Sequence, residues 1–199
     1  MILVAGVDEA GRGPIAGEVF AAAVILDQGC EITGIVDSKK LSPSARDRLC
    51  KEIKSAALSW AVSFATVAEI DQMNILQASL LAMKRAIEML DARPDLVLVD
   101  GNHVPSDIDI EVRSIIRGDQ TEKAISAASI IAKVARDNRM RELHDQFPQW
   151  MFDAHKGYPT KKHIEIINDI GLTPHHRRTF APVRRVIEGK KSDSKGSSG

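Results

Sequence analysis

The sequence predicts an α/β domain built on a mixed sheet, and three observations carry that expectation. Short apolar runs that stop on carboxylates have the length of buried strands: residues 2–7 enter Asp8 and Glu9, 96–99 enter Asp100, and 112–116 reach Gly118 and Asp119. Longer stretches with apolar residues at helical intervals read as helices, bounded by Ser, Thr, Pro or Gly. Strands come first and helices intervene later, the order of a mixed sheet flanked by helices.

Each element has its own warrant. After the first strand, Gly11, Gly13, Pro14 and Gly17 make a turn, and residues 19–26 form a second strand. Ser42 caps a helix with Pro43 at its first position, running to about Ala57 with Leu49 and Ile53 on one face. Trp60, Val62 and Phe64 alternate with small or polar residues, as a strand does. Thr66 and Glu69 have the spacing of a capping box. Residues 74–90 carry Ile75, Ser79, Met83 and Leu90 at helical intervals, ended by Pro94. A helix over 121–144 is rich in Ala and Ser, which lets another backbone approach closely. A short helix over 160–169 is closed by Gly171. From Gly189 the composition is Gly, Lys and Ser, and a disordered tail is expected.

The bulk properties narrow the class. At 199 residues, with 44% apolar and 27% charged side chains, the chain suits one well-buried domain plus a small appendage. Lys and Arg number 27, as do Asp and Glu, which argues against a uniformly basic nucleic-acid binder. Two cysteines without metal-ligand spacing favour a reduced, intracellular protein. The first apolar run is short and lacks a positive leader, so it reads as a strand and not a signal peptide. No stretch approaches the roughly 20 apolar residues of a membrane span. A soluble, cytoplasmic monomer without membrane association is expected.

Acids at strand ends suggest chemistry. A single one is most simply a polar loop residue, but neighbouring strands would bring Asp8, Glu9, Asp100 and Asp119 together. Crowded carboxylates raise one another's pKa unless a cation neutralises them. Oxygen donors favour Mg²⁺ or Mn²⁺ over zinc, the donor set of two-metal phosphodiester hydrolysis. Two near-misses carry nothing. Residues 6–13 approach a P-loop but have Arg12 and Gly13 where Lys and Ser or Thr are needed, and the glycine spacing is wrong for a dinucleotide fingerprint.

The segment Gly6-Val7-Asp8-Glu9-Ala10-Gly11-Arg12-Gly13-Pro14 closely resembles the opening motif of type 2 ribonuclease H, ribonuclease HII. Further blocks match in the family's order: Asp37-Ser38-Lys39-Lys40-Leu41-Ser42, Asn74-Ile75-Leu76, Val99-Asp100-Gly101-Asn102, Gly118-Asp119, the run from Ala127 to Asp137, and His155-Lys156-Gly157-Tyr158. Together they span about residues 3–185. One block departs mildly, with Thr179 where the family has Ser in His-Arg-x-Ser-Phe.

The resemblance implies an RNase H-like mixed sheet (residues 1–145), a C-terminal helical substrate-binding extension (146–188) and the tail (189–199). It implies an endonuclease that cuts the RNA strand of RNA/DNA hybrids and single ribonucleotides embedded in duplex DNA, leaving 5′-phosphate and 3′-hydroxyl ends. Carried over by motif, Asp8, Glu9, Asp100 and Asp119 are the catalytic metal ligands for Mg²⁺ or Mn²⁺. Gly11, Arg12, Gly13 and Tyr158 would recognise the RNA–DNA junction: glycines let backbone groups reach the 2′-hydroxyl, and a ring stacks on the next sugar. Otherwise these glycines are simply a tight turn.

Seven basic residues (Lys156, Lys161, Lys162, Arg177, Arg178, Arg184, Arg185) against Glu165 and Asp169 would then wall the phosphate backbone. Lys39 and Lys40 would contribute from the opposite side, and Ser129 and Lys133 would position a phosphate. His175 and His176, adjacent on an extended segment, should point apart. Ribonuclease HIII is the nearest rival, and it carries an N-terminal domain for which Asp8 leaves no room. A hybrid-binding module without catalysis would not keep all four carboxylates. A structural or interaction domain needs no carboxylate cluster opposite a basic segment, and a small-molecule phosphohydrolase has little use for that segment.

Overall fold

The computed structural model describes residues 2–27, 29, 30, 32, 34, 35 and 42–196. Lys39 and Lys40 lie outside the described residues. A five-stranded mixed sheet has the order β3-β2-β1-β4-β5. β1 (Val4–Ala10) pairs antiparallel with β2 (Val19–Leu26), which pairs antiparallel with β3 (Ala57–Ala65). On its other side β1 runs parallel to β4 (Leu96–Asp100), and β4 runs parallel to β5 (Glu111–Ile115). The strand bearing Asp8 and Glu9 is therefore the central one.

Helices cover both faces. α1 (Pro43–Ala56) starts at Ser42, whose side chain accepts from the Ala45 amide. α2 (Val67–Met73) opens on the Thr66–Glu69 capping box, closed in both directions. α3 (Ile75–Glu88) is capped by Asn74, whose side chain accepts from the Leu76 and Gln77 amides. Its Ala78, Ala82, Met83 and Ala86 pack on Ala5, Val7, Ala21 and Val99 of one sheet face. The opposite face presents Ala22 and Val24 to Leu49 and Ile53 of α1 and to Ala127, Ala128 and Ile131 of α4 (Lys123–Gln146).

Small residues decide how closely α4 lies on the sheet. A Cβ placed on Gly6 would stand 2.1 Å from the Ala124 carbonyl carbon and 2.2 Å from the Ile125 nitrogen. Backbone meets backbone there, as the Ala- and Ser-rich composition leads one to expect. β3 shows the same economy: Ser59, Ala61, Ser63 and Ala65 are buried, while Trp60 and Phe64 lie on the outer face.

Beyond α4 come α5 (Phe152–His155), α6 (Lys161–Asp169) and α7 (Ala181–Gly196). They reach β1 through the loop that follows it. Ile15 packs with Ile167, Val183 and Val186, and Ala16 packs with Met140, Leu143 and Phe152. α7 carries its helix through Gly196, so the backbone departs from the structureless tail expected from Gly189. Val183 and Val186 anchor its first turns, and propagation from a fixed turn costs far less than nucleation. Among the described residues no helix is long and apolar enough to cross a membrane.

Candidate active site

Asp8 lies one residue past the Val7–Val99 pair, beside Asp100 at the end of β4. It is 6% exposed, and its Oδ1 accepts from the Glu9 amide at 2.7 Å. Ser129 of α4 gives it a further side-chain hydrogen bond. Burial pushes the Asp8 carboxyl well above the usual range, and the charges of Glu9 and Asp100 add to this. The Ser129 bond pulls the other way.

Asp119 sits in a 3-10 turn (Gly118–Gln120) ahead of α4, and its amide donates to Asp100 Oδ1 at 3.3 Å. Its carbonyl accepts from Ser126 Oγ at 2.6 Å, which fixes the turn to the helix start. Arg117 takes a left-handed conformation (φ 57°) to enter this turn.

Glu9 has the parity of Val7 and leaves the sheet toward α3, where it lines a cleft of about 60 Å³ with Arg12, Ser79, Asp100 and His103. Burial raises its carboxyl as well, against the Arg12 guanidinium at 3.2 Å. In a regular strand Asp8 and Glu9 face opposite sides, so both serve one site only if the strand breaks as it enters Gly11-Arg12-Gly13. β1 stays paired to β2 through Ala10 and ends there, and Gly11 breaks the strand with a φ of 104°. The edge of the sheet matters as well. β1 runs three residues beyond its last pair with β4, so its β4 side is open, and the side chains reach that open edge from opposite faces.

Among the described residues, no three carboxylate, histidine or cysteine groups are drawn together at ligand spacing. The donor chemistry suits a hard divalent ion: every donor is oxygen, and burial raises the Asp8 carboxyl well above its usual range, a charge that a cation would stabilise.

Next to these acids the structure brings the glycine loop and Tyr158 together. A Cβ on Gly13 would stand 3.3 Å from Tyr158 Cε1, and Tyr158 is 46% exposed. Gly11 has φ of 104° and covers the buried Arg136, whose Nε would lie 2.1 Å from an added Cβ. Lys133, one turn beyond Ser129, is held by Asp137 at 2.6 Å. Ser129 stands beside Asp8, whose pKa it lowers, one turn of α4 before Lys133.

The basic run needs a sharper correction. Lys161, Lys162, Arg178, Arg184 and Arg185 are exposed, and Lys156 is half-buried. Arg177 is fully buried and faces no solvent. Its guanidinium donates to the carbonyls of Gly17 (2.8 Å), Arg12 (3.1 Å), Pro14 (2.7 Å) and Gly11 (2.7 Å). Arg136 donates to the carbonyls of Ala16 (3.3 Å) and Lys156 (2.9 Å). Sequence reasoning missed both arginines as supports of the loop. The one available signal was the position of each inside a matching block.

The two adjacent histidines do point apart. His175 meets the edge of Phe147, and His176 Nε2 lies 3.1 Å from His163 Nε2. His176 Nδ1 accepts from the Thr173 amide, so its Nε2 carries the proton and donates to His163. The proton of His163 then lies on Nδ1, which donates to the Tyr158 carbonyl at 2.8 Å. Burial keeps both imidazoles neutral, holding His163 at about 4 and His176 at about 3.

Comparisons with known proteins place the whole of this span in one family. A model of the ribonuclease HII family matches residues 5–183. The chain is 51% identical to the ribonuclease HII of Marinomonas sp. (strain MWYL1) over 187 residues, 94% of each protein. It is 55% identical to that of Nitrosococcus oceani over 185 residues, 93% of this chain and 92% of the relative. Among solved structures, ribonuclease H2 from Pyrococcus horikoshii OT3 superposes with a TM-score of 0.78 at 28% identity, over 96% of this chain and 99% of that one. The fold is shared more widely: Bst-RNase HIII in complex with Mn²⁺ gives 0.75 at 20% identity, over 96% of this chain and 71% of that one. With the motif strand, the acid-ended β4 and the tyrosine-capped glycine loop inside the matched span, the chain belongs to the ribonuclease HII family.

Proposed function

We propose that this enzyme is a divalent-metal-dependent endoribonuclease acting on RNA/DNA hybrids, and that it also nicks duplex DNA at single embedded ribonucleotides. The observation that carries the reading is the placing of the Gly11-Arg12-Gly13 loop and Tyr158 beside the ends of β1 and β4, where Asp8 neighbours Asp100 and the Asp119 amide donates to Asp100. Asp8, Glu9, Asp100 and Asp119 would hold Mg²⁺ or Mn²⁺, which supplies a nucleophilic hydroxide and stabilises the leaving 3′ oxygen. The products are a 5′-phosphate and a 3′-hydroxyl.

The chain's own residues do the rest. Ser129 lowers the Asp8 pKa against the burial that raises it. Arg12 leans on Glu9 and keeps that carboxylate at the rim of the cleft. The loop reads the 2′-hydroxyl with backbone groups, and the Tyr158 ring stacks on the following deoxyribose, where a 2′-hydroxyl would clash. Lys161, Lys162, Arg178, Arg184 and Arg185, exposed on the extension (146–188), take the phosphates beyond the catalytic part (1–145). A DNA duplex bearing one ribonucleotide, incubated with the protein and Mg²⁺, should be nicked on the 5′ side of that ribonucleotide. An intact strand under these conditions refutes the assignment.

A further inference from the structure

We propose that Arg177 is a positioning residue for strand selection: it pins the carbonyls of the glycine loop inward so that the Arg12 and Gly13 amides face the substrate. Three observations carry this. Arg177 is fully buried, and among the described residues no carboxylate pairs with it; its hydrogen-bond partners are the carbonyls of Gly11, Arg12, Pro14 and Gly17. A guanidinium presents five donors in a rigid fork, and four of them are spent on one loop. Phe180 lies against its other side, 5.1 Å from the guanidinium carbon, and fixes the plane of the fork.

The orientation of the amides follows from peptide geometry. Every described peptide is trans, so a C=O and the N–H that follows it point in opposite directions. With the Gly11 and Arg12 carbonyls turned onto Arg177, the Arg12 and Gly13 N–H groups turn away from it. Neither amide has a partner among the described residues. The Ile15 amide, which follows Pro14, is by contrast taken by the Gly157 carbonyl at 2.8 Å. Two adjacent unpartnered donors beside the Tyr158 ring form a small nest for an oxygen atom. A cation bound to the carbonyl end of each peptide also polarises it and makes the amide a better donor. Arg136 adds a second buried cation behind Gly11 and is one cause, after burial, of the low pKa of Arg177, about 9.

The ligand is a ribose 2′-hydroxyl oxygen at the junction, so the inference rests on the junction reading above. It removes Arg177 from the phosphate wall and gives it a different measurable signature. A phosphate contact changes the salt dependence of binding by about one unit of slope and leaves sequence and sugar selectivity alone. A positioning residue changes sugar selectivity and leaves the slope alone.

Arg177→Lys keeps the charge but cannot fork to four carbonyls. With Ca²⁺ in place of Mg²⁺, binding would be measured to a duplex with one ribonucleotide and to the same duplex in all-DNA form. Folding of the variant would be checked by its melting transition. The wild type should favour the ribonucleotide duplex, and the variant should lose at least about fivefold of that preference, the worth of one misaimed hydrogen bond. Its salt slope on the all-DNA duplex should match the wild type. An unchanged preference in a folded variant, or a slope reduced by about one, overturns the proposal. If Arg177→Lys does not fold, the wild-type protein decides by amide NMR. The Arg12 and Gly13 resonances should move with the ribonucleotide duplex and not with the all-DNA duplex, and equal response to both overturns the proposal. A wild type that shows no preference at all refutes the junction reading itself, which is a distinct outcome.

Discussion

Gly6→Ala tests how the site is built. Gly6 lies two residues before Asp8 on β1, on the face turned to α4, where an added methyl would stand 2.1 Å from the Ala124 carbonyl carbon and 2.2 Å from the Ile125 nitrogen. Contacts that short do not survive, and both obstacles are backbone, which cannot rotate away as a side chain can. Overpacking of a core typically costs about 1–3 kcal/mol. With helix and strand both required to move, the upper end applies, about 3 kcal/mol. For a chain of this size that corresponds to a fall of about 6–12 °C in melting temperature. The same displacement carries Ser129 away from Asp8, so cleavage should fall even at temperatures where the variant is folded. The comparison is Gly29→Ala, because a Cβ at Gly29 meets nothing within 4 Å and should cost less than about 0.5 kcal/mol. Melting curves and cleavage of a ribonucleotide-bearing duplex would be recorded for both. Equal melting temperatures for the two variants refute the claim that β1 and α4 meet backbone to backbone at Gly6.

Other expectations follow from the site and its supports. Asp8→Asn should reduce cleavage by about a thousandfold or more, the several kcal/mol expected of a ligand to a catalytic cation, while binding of a hybrid survives. Because burial raises the Asp8 pKa in the folded state, its charge costs stability above that pKa, and the cost disappears as pH falls below the usual carboxylate range. Metal-free Asp8→Asn should therefore melt higher than wild type at neutral pH and lose that advantage in acid; a lower melting point at neutral pH contradicts this. His163 and His176 have the opposite sign: the unfolded chain takes protons near 6.5 and the folded chain refuses them until about 4 and 3. Between pH 6 and 5, stability should fall toward about 1.4 kcal/mol per pH unit for each imidazole, and urea midpoints for His163→Gln should show a shallower fall. Tyr158→Ala should lose the stacking worth about 1–3 kcal/mol and with it junction selectivity, whereas Tyr158→Phe should keep both; unchanged selectivity in the alanine variant removes the ring's role.

Much of this fold was legible because its local signals are strong. Val19–Leu26 is a continuous apolar run and forms β2 over those residues. Ser42 with Pro43, and Thr66 with Glu69, mark helix starts that the structure repeats. The acids were legible too, since a carboxylate ending an apolar run is visible without any knowledge of pairing. What could not be read depends on distant partners. Arg136 and Arg177 look like the exposed Arg178 and Arg184 in the sequence, and only a loop more than a hundred residues away decides that they are buried. The alternation rule placed Asp8 and Glu9 on opposite faces, and it holds. The break expected at Gly11 is present, but β4's shorter reach, which leaves an open edge beside Asp8 and Glu9, is a property of the paired sheet and not of either strand.

The tether between Arg177 and the glycine loop also has a temporal side. Arg177 follows Arg12 by 165 residues, and the strands and all four site acids precede it in the chain. A polypeptide made from its N-terminus therefore acquires its carboxylates early and the clamp on its loop late. During synthesis, the groups that cut and the frame that tells one sugar from another are assembled in that order, separated by most of the length of the protein.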